Sequence, residues 1–153
     1  MKMIPMNLIP KTGLLLTLFW LGCASSASQV KSGAASKSLF ERLGGQAALT
    51  AVVDDLTVRI VADGRINQRF ANTDIPHFKQ ALVEQLCEVS GGPCKYAGKD
   101  MRTAHAGMNV ADDEFTFLVE DIKATLAKFK VPAREQTELL GALGGMKKDV
   151  VGL

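Results

Sequence analysis

From Leu39 onward, apolar residues recur at helical spacing in four separate stretches, and almost nowhere does the chain alternate with a period of two. Gln46 to Ala62 carries Leu49, Val52, Val53, Leu56 and Ile60 on one face, and Ala62-Asp63-Gly64 reads as its stop. Asp74-Ile75-Pro76 has the form of a helix start, an acidic cap followed by a proline in the first turn. The stripe behind it runs through Ile75, Phe78, Leu82, Leu86 and Val89 until Gly91-Gly92-Pro93 breaks it. Asp112 opens a third helix with Phe115, Leu118, Val119, Ile122, Leu126 and Phe129 in register. Pro132 starts a fourth, with Leu139, Leu140, Leu143, Met146 and Val150 facing inward. A short piece, Ser38 to Arg42, precedes Gly44-Gly45. The class is all-α, a single domain over residues 39–153, with no internal repeat.

The first 22 residues follow a different pattern. Lys2 and Lys11 form a basic region, Gly13 to Leu21 is a short apolar run, and small residues follow. So short a run cannot cross a bilayer as a helix, so it reads as a secretory signal peptide over residues 1–22. Leu21-Gly22-Cys23 is similar to a lipobox, with Trp20 where a leucine is usual; the resemblance implies lipidation of Cys23 and membrane anchoring in the periplasm or cell envelope. Cleavage near Ala27, leaving no lipid, is the alternative. The Ser/Ala/Gly/Lys-rich stretch that follows reads as a flexible tether, which places the tether at 23–38.

Export changes the charge picture. The chain has 18 basic and 16 acidic residues, and removing the signal takes Lys2 and Lys11 but no acid. The mature protein is electrically balanced and carries no electrostatic footprint for nucleic acid. Export also leaves Cys87 and Cys94 as an even pair in a compartment that permits disulfides, and a bridge is the favoured reading. A zinc site lacks nearby further ligands, and two free thiols remain the third option.

Against this apolar background the segment Gly91 to Gly107, GGPCKYAGKDMRTAHAG, holds one of only two histidines. Together with LGG at 43–45, Phe70, Tyr96-Ala97-Gly98, Met101 and AHAGM at 104–108, it resembles the group 1 truncated haemoglobins, from about Leu39 to Val151. The resemblance implies a two-over-two helical sandwich holding b-type haem. It implies His105 as the ligand to iron, since an imidazole nitrogen without a proton is a good donor. It further implies a haem slot walled by Phe70, Phe78, Leu82, Leu86, Tyr96, Met101, Met108, Phe115, Val119 and Ile122, with Lys95 and Arg102 as candidate partners for the propionates. Where relatives carry a tyrosine and glutamines that bond the gas, this chain aligns Thr57, Phe78 and Leu82, so Thr57 is left as the one short donor. His77, one position before the usual distal site, would be rotated by about 100° away from the iron.

The implied function is reversible binding of a diatomic gas, oxygen or else nitric oxide or carbon monoxide. The alternatives are a haem redox enzyme acting on nitric oxide or peroxide with a reductant the sequence does not reveal, and a haem-free helical envelope lipoprotein.

Overall fold

A computed structural model describes residues 36–153. The signal peptide, Cys23 and all of the tether but its last three residues lie outside the described residues. Ser38, the end of the expected tether, is already part of the fold. Its hydroxyl accepts the Glu41 N–H at 3.2 Å while the Glu41 carboxylate accepts the Ser38 N–H at 2.8 Å, a reciprocal cap for α1, Leu39–Arg42.

Gly44 and Gly45 both take positive φ, 99° and 74°, which turns the chain sharply into α2, Gly45–Ala62. A 3-10 turn over Asn67–Phe70 makes the corner. Helix α3, Ile75–Val89, begins as its sequence implied: Asp74 accepts the His77 N–H at 3.1 Å and Pro76 lies in the first turn. Helix α4, Met101–His105, is a short piece capped by Asp100. Helix α5, Asp112–Lys128, has three acids in its first turn, where they complement the positive end of the helix. Helix α6 spans Ala133–Gly144, and a 3-10 turn follows at Lys147–Asp149. Met146 and Val150, expected on the last helix, therefore lie beyond it. An isolated parallel bridge pairs Val110 with Val151.

Helix α2 packs on both α3 and α5, α5 packs on α6, and α1 lies against α2 and α6. This is the two-over-two sandwich. The buried apolar residues fall into two clusters. One gathers Leu49, Val52, Val53, Val83, Leu86, Cys87, Leu126 and Leu139; the other gathers Leu56, Ile60 and Ile66. Leu82 and Ile122 pack against both. Most of the predicted stripes are buried only in part: Phe78, Leu82, Phe115, Leu118, Val119 and Ile122 keep measurable exposure although they point inward. They do so because the space they face is a cavity.

Candidate functional site

Helices α2 to α6, the corner and the C-terminal turn enclose an apolar cavity of about 410 Å³. Protein interiors are close-packed, so such a space is a feature and not a packing accident. The space is partly open to solvent, and an apolar guest of substantial size would take its largely apolar lining out of water.

The structure brings His105 and all ten predicted wall residues to this cavity. Helix α3 contributes Phe78 and Leu82, α4 contributes Met101 and His105, and α5 contributes Phe115 and Val119. Phe70 comes from the corner, Tyr96 from the α3–α4 segment and Met108 from the turn after α4. Leu86 and Ile122 join them. Phe70 and Phe78 meet edge to face, with ring centroids 5.4 Å apart, so the corner and the start of α3 form one aromatic wall.

Thr57 is the exception. It is buried but does not line the cavity; its hydroxyl donates to the Val53 carbonyl at 2.7 Å, one turn back on its own helix. A short side chain at that position bonds its own backbone more easily than it reaches across a cavity. The two propionate candidates lie outside the lining. Lys95 pairs with Glu88 and is almost fully exposed, Arg102 pairs with Asp149, and neither reaches the cavity. His77 is exposed on the outer side of α3, as the helical rotation required.

His105 is half-buried on the cavity wall, and its Nδ1 lies 2.8 Å from the carbonyl oxygen of Met101. A carbonyl can only accept, so Nδ1 carries the hydrogen of the neutral ring and Nε2 carries the free lone pair. One helical turn of α4 thus fixes the tautomer of its own histidine. The cavity offers a single imidazole on a wall that is mostly aromatic, aliphatic and thioether, which fits a flat apolar macrocycle held by one nitrogen ligand.

Sequence reasoning missed several polar residues here. Gln85 lies on the inner stripe of α3, three positions after Leu82, and a polar residue interrupting an apolar face was the signal available. Its amide donates toward the Met101 sulfur at 3.2 Å and the Met146 sulfur at 3.6 Å, which turns it toward α4. The Tyr96 hydroxyl donates to the Lys99 carbonyl at 2.9 Å, and burial pushes its pKa up, so it stays a phenol. Arg69 and Glu114 line the cavity as an ion pair at 2.7 Å, joined across 45 positions by nothing the sequence pattern could reveal. That guanidinium and the Ala111 N–H hold the Glu114 carboxyl below the usual carboxylate range. The remaining wall from α2 and α3 (Val52, Leu56, Ile60, Phe78, Ala81, Leu82) offers no hydrogen-bond donor.

The disulfide expected from the cysteine count is present, joining Cys87 at the end of α3 to Cys94.

Residues 38–151 match the model of the bacterial-like globin family. A group 1 truncated haemoglobin of Tetrahymena thermophila is 35% identical over 115 residues, covering 75% of this chain and 95% of that protein. The crystal structure of truncated haemoglobin from Tetrahymena pyriformis in its Fe(III) form superposes with a TM-score of 0.74 at 32% identity, covering 76% of this chain and all of that one. A 2/2 haemoglobin from Synechococcus, solved in the cyanomet state with covalently attached haem, gives 0.71 at 30% identity, covering 75% and 98%. With the cavity, its single imidazole and the sandwich agreeing with these likenesses, the chain belongs to the bacterial-like globin family, among the group 1 truncated haemoglobins.

Proposed function

We propose that the cavity holds b-type haem with His105 Nε2 as the axial ligand to iron, and that the protein reversibly binds a diatomic gas there. The observation that carries this is the His105 Nδ1 to Met101 carbonyl contact on the wall of an apolar cavity, which presents Nε2 as the free donor. The haem of the solved relatives supports the reading, since they share the fold across their whole length. When bound, haem would supply an iron able to take a small gas.

The chain's own residues do the rest. Met101 orients the imidazole, and a hydrogen-bonded second nitrogen raises the basicity of the first. Phe70 and Phe78 give a broad aromatic surface for the macrocycle. The part of the lining made by Val52, Leu56, Ile60, Phe78, Ala81 and Leu82 gives a polar gas no hydrogen bond, and the one amide of α3, Gln85, is turned toward the Met101 and Met146 sulfurs. The protein is therefore expected to hold oxygen loosely relative to carbon monoxide.

The test is the absorption spectrum of purified protein in ferric, ferrous and CO-bound forms, for wild type and His105→Ala. Wild type should show a Soret band with one haem per chain, and His105→Ala should lose stoichiometric haem or need added imidazole to keep it. An unchanged ferrous spectrum in His105→Ala would overturn the assignment.

We further propose export to the cell envelope, with lipid on Cys23 as the anchor. The support is the basic, apolar and small-residue order of residues 1–23 and the disulfide between Cys87 and Cys94. Palmitate labelling that disappears in Cys23→Ala is the expected result. Soluble, unlabelled protein starting near residue 28 would replace the lipid by ordinary cleavage.

A further inference from the structure

Arg69 is the most heavily engaged side chain at the cavity, and it joins two parts of the wall that lie far apart in sequence. It sits beside Phe70 in the corner turn. Its Nε and Nη2 donate to the two carboxylate oxygens of Glu114, each at 2.7 Å. Its Nη1 donates to the Met108 carbonyl at 2.7 Å, and Nη2 reaches the Asn109 carbonyl at 3.4 Å. Four of the five N–H groups of a guanidinium are thereby placed on one short segment and the first turn of α5. Glu114 in turn accepts the Ala111 N–H at 2.8 Å, which caps α5.

The segment held in this way follows His105 directly. It needs holding: Gly107 takes φ 78° and Asn109, with a side chain, takes φ 45°. Its other ties come from the C-terminal residues, Asn109 N–H to the Leu153 carbonyl at 2.6 Å and Gly152 N–H to the Val110 carbonyl at 3.0 Å. Helix α4 is only five residues long and cannot hold its own orientation by helical cooperativity. The position of His105 therefore depends on what anchors the chain on either side of it.

We infer that Arg69 is a positioning residue for His105, a fork that pins the segment after the imidazole to the corner carrying Phe70 and so closes the cavity around its guest. The inference rests on the haem reading above. Arg69 acts through the Met108–Ala111 backbone, whose Met108 N–H donates to the His105 carbonyl at 3.0 Å, and makes no hydrogen bond to the imidazole itself.

Two measurements separate this inference from the reading beneath it. In haem-loaded protein, Arg69→Gln should speed haem transfer to an acceptor apoglobin by roughly tenfold and shift the iron–histidine stretching band, since a charge-assisted, bidentate tie is lost. Arg65→Gln removes the same charge from the same corner and should change transfer by less than about twofold, because exposed pairs contribute little. Arg69→Lys keeps the charge without the fork and should behave like Arg69→Gln. In haem-free protein, amide exchange at Asn109 and Ala111 should rise in Arg69→Gln with helical circular dichroism retained. If wild type shows no haem, the haem reading fails and the exchange arm alone decides the tie. Unchanged exchange overturns the inference; faster haem transfer with unchanged exchange would mean that Arg69 pairs with the haem itself. Should Arg69→Gln fail to fold, Glu114→Gln removes the same fork from the other side and must raise exchange at Ala111.

Discussion

Thr57 carries a hydroxyl that never leaves its own helix, and that one bond decides what the gas site can offer. The resemblance to group 1 truncated haemoglobins implied that Thr57 stands where relatives carry a ligand-bonding tyrosine. The side chain's direction was not legible, because it depends on the Val53 carbonyl one turn back, which takes the hydroxyl. Thr57→Val is therefore expected to leave oxygen release unchanged within about twofold. Leu82→Gln, by contrast, places an amide in a part of the wall whose neighbours Phe78 and Ala81 carry no donor, while the Gln85 amide is engaged by the Met101 and Met146 sulfurs. A donor there should slow oxygen release by about tenfold, the equivalent of a hydrogen bond of ~1.4 kcal/mol, and leave carbon monoxide release nearly alone. Stopped-flow ligand displacement measures both. Slower carbon monoxide release of the same size would mean that Leu82→Gln blocks escape without bonding the gas.

The elements differ in how clearly the sequence announced them. Helices α2, α3, α5 and α6 have long apolar stripes and recognisable caps or breakers, so periodicity found them. Helix α4 has five residues and no stripe; its cap, Asp100, was hidden among loop residues and only the resemblance singled out its histidine. The end of α6 was placed too late, because Met146 and Val150 keep helical spacing while Gly144-Gly145 ends the helix before them. Both still reach the cavity from the following turn, which is why the pattern looked continuous. The α3–α4 connection shows how an irregular stretch is held. Cys87 is fully buried in the core, and a side chain on Gly92 would meet its sulfur at 2.6 Å, so the turn is built tightly around the bridge to Cys94. Peptide mapping without reductant should recover the linked pair. Replacing both cysteines with alanine should lower stability by about 2.5 kcal/mol on the loop-entropy estimate. Freely alkylated thiols in folded, exported protein would show that the bridge does not form. The same replacement should loosen Tyr96, two positions beyond Cys94, before it disturbs α4, whose cap and Arg102–Asp149 pair are independent of the bridge.

At the scale of the whole molecule, the cavity divides the apolar core, and much of the perimeter is tied by ion pairs between elements. Arg42 of α1 pairs with Glu135 and Glu138 of α6, Lys79 of α3 with Asp54 of α2, Lys128 of α5 with Asp55 of α2, and Arg69 with Glu114. None of this was visible in a balanced charge count, which records numbers and not partners. It gives the fold a definite response to acid. Asp55 and Glu138 are held below their ordinary values chiefly by side-chain hydrogen bonds from Lys128 and Arg134, and Asp63 and Glu114 by those from Arg65 and Arg69. A carboxylate whose folded pKa is depressed stabilises the fold above its unfolded pKa and loses that contribution as pH falls through the folded value. Asp121 works the other way. Its Oδ2 is buried without a partner and burial raises its pKa, so the folded state takes up its proton first and stability falls as pH rises through that value. Four carboxylates are depressed in this way against the one that is raised. The thermal midpoint of the haem-free protein should therefore stay level from neutral pH down to about 5, then drop below the ordinary carboxylate values of 3.8 and 4.5. Asp121→Asn should raise the midpoint at pH 7 and converge on wild type under acid, where both side chains are neutral. A midpoint that climbs as pH falls from 6 to 4 would mean that buried Asp121 outweighs the interelement pairs, and that the perimeter charges are solvated and contribute nothing to holding the sandwich closed.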